Sequence, residues 1–569
     1  MRDSIAPGVA LGALGVRGNM QLIRGLATLS LMSMPLVAQA APADFAACDG
    51  YSAPGKKSDG ITKGTWLWGL ATATADFRKG TVAVGAGGIT ACDSALADPM
   101  LVDAFWLRRA HLLQSKALHQ ISAKLYTEAL AALDQSDAAG ATRGDAQFDK
   151  SIKLANMALR AMAYYKLDRK EDAHAALKAV TDARPWSTSL RLLTTNIRVF
   201  FEPDFQTHEA LLREQAVLEP RQLYTLFWFA MARGDFEAAS KFANEVSFDI
   251  PRTRGGWSVA GGDNRKYDLI RERASLAGAT AYALAATEQL EASARAYKRG
   301  LDEIEAATQP PEPDARGRPP GKNAMREYAL RNGAGAEAKA SLQGWGQAIA
   351  LRREAGTMTL KQLIEYWDRP KGEALMVAAD FFRQLKPADL REASAVNEMI
   401  GLLQTQQDDA RRKMVALNFN ALIAQLPRPE TTAMVPRMQP EGGNILRSDL
   451  NGWAVRKAED PALVNVRFGS AVGSESLVEE AAFLAAANHV ASLGKDGFIV
   501  EAGQLIQRTM YMVGIYSSGA ATPSGYELRL LLRPVDTAAL PAELETERWR
   551  IVKVRDVQAS LAGKFPLPR

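Results

Sequence analysis

The stretch Arg221–Pro251, RQLYTLFWFAMARGDFEAASKFANEVSFDIP, decides how the rest of the chain is read. Leu223, Leu226, Phe227 and Ala230 recur at the spacing of one helical face, and Gly234 interrupts them. Asp235 can cap a second helix, in which Ala239, Phe242, Ala243 and Val246 repeat the stripe before Pro251. The spacing predicts two antiparallel helices joined by a three-residue turn. Such a hairpin cannot bury its own apolar face, so it requires stacked neighbours and points to a helical solenoid.

The flanking segments carry the same pattern. Between Asp103 and Ser136, Phe105, Leu112, Ala117 and Leu118 stripe one helix and Tyr126, Ala129, Leu130 and Leu133 the next. From Ser151 to Pro185, Ala158, Ala161, Met162 and Tyr165 lead to a turn at Asp168 and Arg169, followed by Ala173, Leu177 and Val180. A further pair spans Ala274–Ile304, with Ala277, Ala281, Leu284, Tyr297 and Leu301.

These segments resemble tetratricopeptide repeats, helical hairpins with small residues where the helices touch and a proline at the end. On that pattern Ala129, Ala173, Ala239 and Ser293 take the small position of the second helix, and Pro185 and Pro251 the terminal proline. Their spacing is uneven and exceeds the family's repeat of about 34 residues. Insertions such as Gly255–Asn264 therefore loop out, or further helices lie between the copies. The resemblance implies a scaffold that binds a protein or peptide along the inner face of each first helix, through its positions 2, 5, 9 and 12. On the central hairpin these are Arg221, Tyr224, Trp228 and Met231. On the preceding one they are Ala155, Ala158, Met162 and Tyr165, and the following one includes Tyr282. Tyr, Trp and Arg are the types that peptide-binding surfaces concentrate. Large aromatics on helices also pack between neighbouring helices, and exposure of Trp228 separates the two readings. The Lys and Asn that clamp a C-terminal carboxylate in one branch of the family are absent.

Composition is that of an ordinary globular protein: 569 residues, 47% hydrophobic and 23% charged. The net charge of +5 comes from mixed signs, and the densest basic cluster is only Arg316, Arg318, Lys322, Arg326 and Arg331. A nucleic-acid partner is not expected, because phosphate binders gather their cations on one face. Arg24 opens an apolar run, GLATLSLMSMPLV, followed by Ala38-Gln39-Ala40, which predicts a signal peptide cleaved after Ala40 and a periplasmic or secreted protein. No later stretch is long and apolar enough for a transmembrane helix. An even cysteine count in an exported chain predicts a Cys48–Cys92 bridge, against the alternative of two buried thiols.

The expected organisation is a signal peptide over 1–40, an arm and first helices carrying the bridge over 41–102, and repeats over 103–307. A Pro-rich linker over 308–322, a further helical segment over 323–426 and a second linker over 427–447 follow, and an α+β domain occupies 448–569. In the first part, 41–60 reads as an irregular arm, with helices over Trp66–Val84 and Gly88–Leu96. Helices are predicted over Glu337–Glu354, Thr359–Trp367, Gly372–Leu385, Ala388–Gln404 and Asp408–Leu426. Beyond Gly443 the period drops to two: Val464, Val466 and Phe468 alternate with polar neighbours, as do Tyr526, Leu528, Leu530 and Leu532. Ser476 and Glu479 read as a capping box for an Ala-rich helix running to Gly494. Phe498–Val500, Thr509–Tyr516 and Trp549–Val554 supply further strand. The fold class expected is mainly α, a helical-hairpin solenoid followed by a small α+β domain. That domain resembles small envelope domains of bacterial lipoproteins.

Catalytic motifs fail on inspection. Gly50–Lys56, GYSAPGK, has the spacing of a phosphate loop, but Lys57 stands where Ser or Thr should hold Mg²⁺. Ser492-Leu493-Gly494-Lys495 lies at a helix end, whereas penicillin-binding chemistry needs its Ser and Lys on a first turn. His111 and His119 do not share a helical face, so a metal site is not expected, and no motif calls for another cofactor. The expectation is a periplasmic scaffold for a protein or peptide of the cell envelope. The rival is an envelope enzyme acting on cell-wall material with the C-terminal domain as catalytic module. Against it, that domain's polar residues His489, Glu501, Tyr511 and Tyr516 show no spacing that a known chemistry needs, and only a deep pocket in which two or more of them converge would favour it.

Overall fold

The computed structural model describes residues 42–56, 58–61, 64–66, 71–73, 82, 84–202, 204–247, 265–313, 316–367, 376–415, 419–429, 435–441, 451–511 and 521–566. The expected signal peptide, Pro251 and the Gly255–Asn264 insertion lie outside the described residues. Helices dominate, and a small α+β domain follows them.

Helix α1 (Pro42–Asp49), the ribbon of β1 (Gly64–Trp66) with β2 (Ala71–Ala73), and α2 (Ala86–Leu96) come first. Two expectations fail here. The arm expected to be irregular is helical at α1, and within the helix expected over Trp66–Val84 the described residues Trp66 and Ala71–Ala73 are strand, as Thr and Trp favour. Most of the rest of that stretch lies outside the described residues. The predicted bridge is present: Cys48 on α1 joins Cys92 on α2, with Cα atoms 4.7 Å apart. Asp49 then pins α1 to α3 (Trp106–Ser122). Its buried carboxylate accepts from Arg108 Nη2 at 2.9 Å and meets His111 Nδ1 at 3.0 Å. His119 Nε2 bonds the Cys48 carbonyl at 2.7 Å, so both histidines hold the fold together.

Next come α4 (Tyr126–Gly140), α5 (Ala146–Lys150), α6 (Ile152–Lys166), α7 (Lys170–Ala183), α8 (Thr188–Phe201), α9 (Phe205–Ala216), α10 (Gln222–Arg233), α11 (Phe236–Glu245), α12 (Arg265–Ala286) and α13 (Leu290–Ala307). One turn recurs in four hairpins, α3–α4, α6–α7, α10–α11 and α12–α13. A left-handed residue ends each first helix: Lys124, Asp168, Gly234 and Glu288, with φ between 59° and 75°. The next N–H, that of Leu125, Arg169, Asp235 or Gln289, donates back to the carbonyl of Gln120, Tyr164, Ala230 or Leu284 at 2.8–2.9 Å. This back-bond satisfies an orphan carbonyl of the helix end. The small residues Ala129, Ala173, Ala239 and Ser293 each lie one turn further on, and all are buried. The Ser293 hydroxyl donates to the Ala281 carbonyl of the facing helix. The short helix α5 and the hairpin α8–α9, inserted between copies, account for part of the uneven spacing.

After α13 the chain forms α14 (Lys322–Ala355), α15 (Leu360–Trp367), α16 (Ala378–Gln384), α17 (Leu390–Val415) and α18 (Phe419–Ala424). Helix α14 begins well before the expected Glu337, and the helices expected over Ala388–Gln404 and Asp408–Leu426 are largely joined in α17. Helix α14 crosses α12 closely at Gly278, where a Cβ would stand 2.4 Å from the Trp345 ring. Trp345, Phe381 and Phe382 thus enter one core with Phe227, Trp228 and Tyr282.

The C-terminal domain is an antiparallel sheet in the order β3 (Gly452–Lys457), β4 (Val464–Ser470), β6 (Ala521–Val535), β5 (Gly497–Tyr511), β7 (Val552–Lys553). Val466, Phe468, Leu528, Leu530 and Leu532 turn to one face, against α19 (Glu475–Ser492). The alanines of α19 let it approach the sheet closely, and α20 (Val554–Leu561) packs beside it. Strand β5 is continuous with two register shifts, at Val500/Ala502 and Arg508/Thr509, where the sequence suggested two separate strands. Trp549 and Arg550 belong to a 3-10 helix, Ala542–Arg550, and not to a strand. The expected capping box is also displaced. Ser474, not Ser476, caps α19 by accepting from the Leu477 N–H, and Glu479 faces another helix altogether.

Candidate functional site

The expected groove residues do not form one surface. Trp228 is 4% exposed, Met231 1% and Tyr282 0%. The reading that they line an open groove is corrected: the helices after the Pro-rich linker close over them. Trp228 stacks on Trp345 at 6.2 Å, and the Tyr282 hydroxyl donates to Asp380 at 2.7 Å while Arg352 Nε reaches the same oxygen. Ala155, Ala158 and Met162 are likewise buried. Tyr224 is half-buried against Trp228, and Arg221 is exposed. Tyr165 packs with a different core, around α6, and stands apart from the others.

Tyr165 does belong to a polar network. Its hydroxyl donates to Glu202 Oε1 at 2.5 Å, His174 Nε2 meets the same oxygen, and Arg198 Nη2 reaches Glu202 Oε2 at 3.3 Å. Burial acts to raise the Glu202 carboxyl, but the bonds from Tyr165 and His174 and the Arg198 charge outweigh it and hold it below the usual carboxylate range. Burial, and then the bond to Glu202, push the Tyr165 hydroxyl far upward, so it stays a donor.

This network borders a cleft of about 360 Å³ between α7, α8 and α9, lined among others by His174, Lys178, Arg191, Arg198, Glu214 and Gln215. The local sequence explains the position of each. Ser187 caps α8 by accepting from the Leu190 N–H, and Leu190, Leu193 and Ile197 turn inward. Arg191 and Arg198, two turns apart, fall on the cleft side. Asp204 caps α9 through the N–H groups of Gln206 and Thr207, which sets Glu214 and Gln215 at its far end. Arg191 donates to the Pro185 carbonyl at 3.2 Å and to Glu214 at 3.1 Å. Gln215 is 3% exposed, and neither oxygen nor nitrogen of its amide finds a hydrogen-bond partner in the protein. Arg198 Nε is equally without one. Buried polar atoms of this kind cost about 1–3 kcal/mol each when left unbonded.

The sequence reading missed α8 and α9, and with them this cleft. Its signals were present in the caps Ser187 and Asp204 and in the Leu190, Leu193, Ile197 stripe.

In the C-terminal domain His489 lies on α19, over one face of the sheet. Glu501 bonds Arg533 at 2.7 Å, beside the register shift and on the other face. These two do not converge, and the side chains of Tyr511 and Tyr516 lie outside the described residues. No group of His, Cys, Asp and Glu that could hold a metal occurs among the described residues, and no described helix is long and apolar enough to cross a membrane. In comparisons with known proteins, no family model, no curated protein and no solved structure matches the chain.

Proposed function

We propose that the chain is an exported scaffold of tetratricopeptide-like hairpins that holds a protein or peptide partner of the cell envelope at the α7–α9 cleft. The observation that carries this reading is the Gln215 amide, buried at the cleft with a donor and an acceptor both unused. A peptide group is the natural complement of such an amide, since it offers one acceptor and one donor side by side. The four identical turns, each followed by a buried small residue, support the repeat reading. The enzyme alternative loses support from the separation of His489 and Glu501 on opposite sides of the sheet.

Site-specific photo-crosslinking in the native host tests the proposal. A photoreactive residue in place of Lys178, whose side chain is 73% exposed at the cleft rim, should give a discrete adduct with a protein or peptide. The same residue in place of Leu390, 90% exposed on α17, should give none. Absence of any adduct at the cleft would remove the reading. Export is tested by sequencing the N-terminus of the mature protein, which should begin at Ala41.

A further inference from the structure

The chemistry of the cleft narrows the partner, on the reading that the cleft is a peptide site. Among its lining residues stand three permanent cations, Lys178, Arg191 and Arg198, and one carboxylate, Glu214. The carboxylates that balance the cations are unequal. Arg191 is engaged by Glu214 and a backbone carbonyl. Arg198 reaches Glu202 only through Nη2 at 3.3 Å, and its Nε has no partner. Lys178 pairs with Asp182 out in solvent, with side chains 73% and 61% exposed, a pairing that contributes little and re-forms readily with another anion. Glu202 itself is committed to Tyr165 and His174 as well as Arg198. Arg198 and Lys178 are therefore the less firmly engaged cations of the cleft, beside an amide whose donor and acceptor are both unused.

We propose that the cleft takes an acidic side chain of an extended peptide, its carboxylate between Lys178 and Arg198 and the neighbouring backbone amide on Gln215. A free phosphate supplies acceptors for the two cations and, near neutral pH, an O–H for Gln215 Oε1. It lacks the adjoining N–H and carbonyl pair that an amide side chain complements, and inorganic phosphate added as a competitor should displace the peptide only weakly. A neutral peptide satisfies Gln215 and leaves Arg198 Nε without an anion. A carboxylate flanked by peptide groups answers all three, and a cleft of about 360 Å³ has room for one such side chain with its flanking amide.

The test uses the mature protein and two short peptides, both acetylated and amidated so that no terminal charge contributes. One carries Glu at alternate positions and the other Gln at the same positions. Fluorescence anisotropy should show the Glu peptide binding at least about tenfold more tightly, the size expected of one charge-assisted contact. Arg198→Gln should lower that preference by about tenfold. Lys178→Gln should act in the same direction, and its place on the exposed rim keeps the fold intact. Gln215→Leu should weaken both peptides alike. Equal affinity for the two peptides, or a preference that survives Lys178→Gln and Arg198→Gln, would overturn the proposal. If neither peptide binds while a crosslinked partner still maps to position 178, the acidic-peptide inference falls and the scaffold reading stands. Loss of the crosslink as well removes both.

Discussion

The carboxylate of Glu479 rests on the first turn of a helix nearly three hundred residues away: the Ser189 N–H donates to both of its oxygens at 3.1 Å, and the Ser189 hydroxyl adds a third bond at 2.8 Å. The Ser187 and Thr188 hydroxyls donate to it too. An acid from the α+β domain thus completes the N-terminus of α8, where a negative charge is favoured by the helix dipole. Burial pushes the Glu479 carboxyl up, and the bonds from Thr188, Ser187 and Ser189 oppose that rise. Glu479→Ala should lower stability by about 3–5 kcal/mol, because it strands these donors in the interior. Glu479→Gln should retain part of the loss, and urea denaturation of the three proteins measures the order.

A second acid links the same two parts of the chain. Glu245, at the end of α11, is raised to about 7 by burial, with Glu547 and Glu501 adding to the shift and Arg550 and Arg213 opposing it. The native protein therefore keeps a proton that the unfolded chain has lost between about pH 4.5 and 7. Stability should fall as pH rises through that window and level off above it. Glu245→Gln should remove this slope and exceed the parent at pH 8 by about 1–2 kcal/mol, a value reduced from full linkage by solvent screening. Melting curves at pH 5 and pH 8 decide the matter.

Trp228 is a core residue and should behave as one. Wedged between Tyr224, Phe227 and Trp345, it should cost about 3–5 kcal/mol when changed to Ala. Acidic-peptide affinity, measured under conditions where the variant is folded, should be unchanged.

The Cys48–Cys92 bridge spans a sequence separation of 44, and closing such a loop stabilises the fold by about 4 kcal/mol on the chain-entropy estimate. Replacing both cysteines by Ser should lower the melting temperature. Hydrogen exchange should then rise first in α1 and α2, the elements the bridge ties together. Unreduced peptide mapping of the parent should find the two cysteine peptides joined.

What the sequence disclosed follows from periodicity. The stripes at Leu223–Ala230 and Ala158–Tyr165 reported hairpins because burial imposes them, and the alternation at Val464–Phe468 reported strand for the same reason. Where burial does not act, the pattern is silent. Residues 322–331 are almost wholly exposed on α14, so no apolar stripe announces a helix carried there by intrinsic propensity. The groove was misplaced because the spacing of Trp228 and Tyr282 shows that a helix face is apolar and not what covers it. The cover, Trp345 and Phe381, comes from far along the chain. The cleft was missed because Arg191, Arg198 and Gln215 look like a solvated face until α7 is set against α9. In Tyr165 the resemblance did reach the cleft's border, on different grounds from those that matter there.

The junction between α7 and α8 has a consequence for how the protein is made. Arg184, Trp186 and Ser187 find their partners in Glu480, Ser560 and Glu479, at separations of 296, 374 and 292 residues. The first hairpins close on contacts near in sequence. This junction must wait, the partners of Arg184, Trp186 and Ser187 missing, until α19 and α20 have formed. Removal of α19 and α20 therefore does not leave the helices before them intact. It yields a chain left open in its middle, beside the cleft that α7, α8 and α9 enclose.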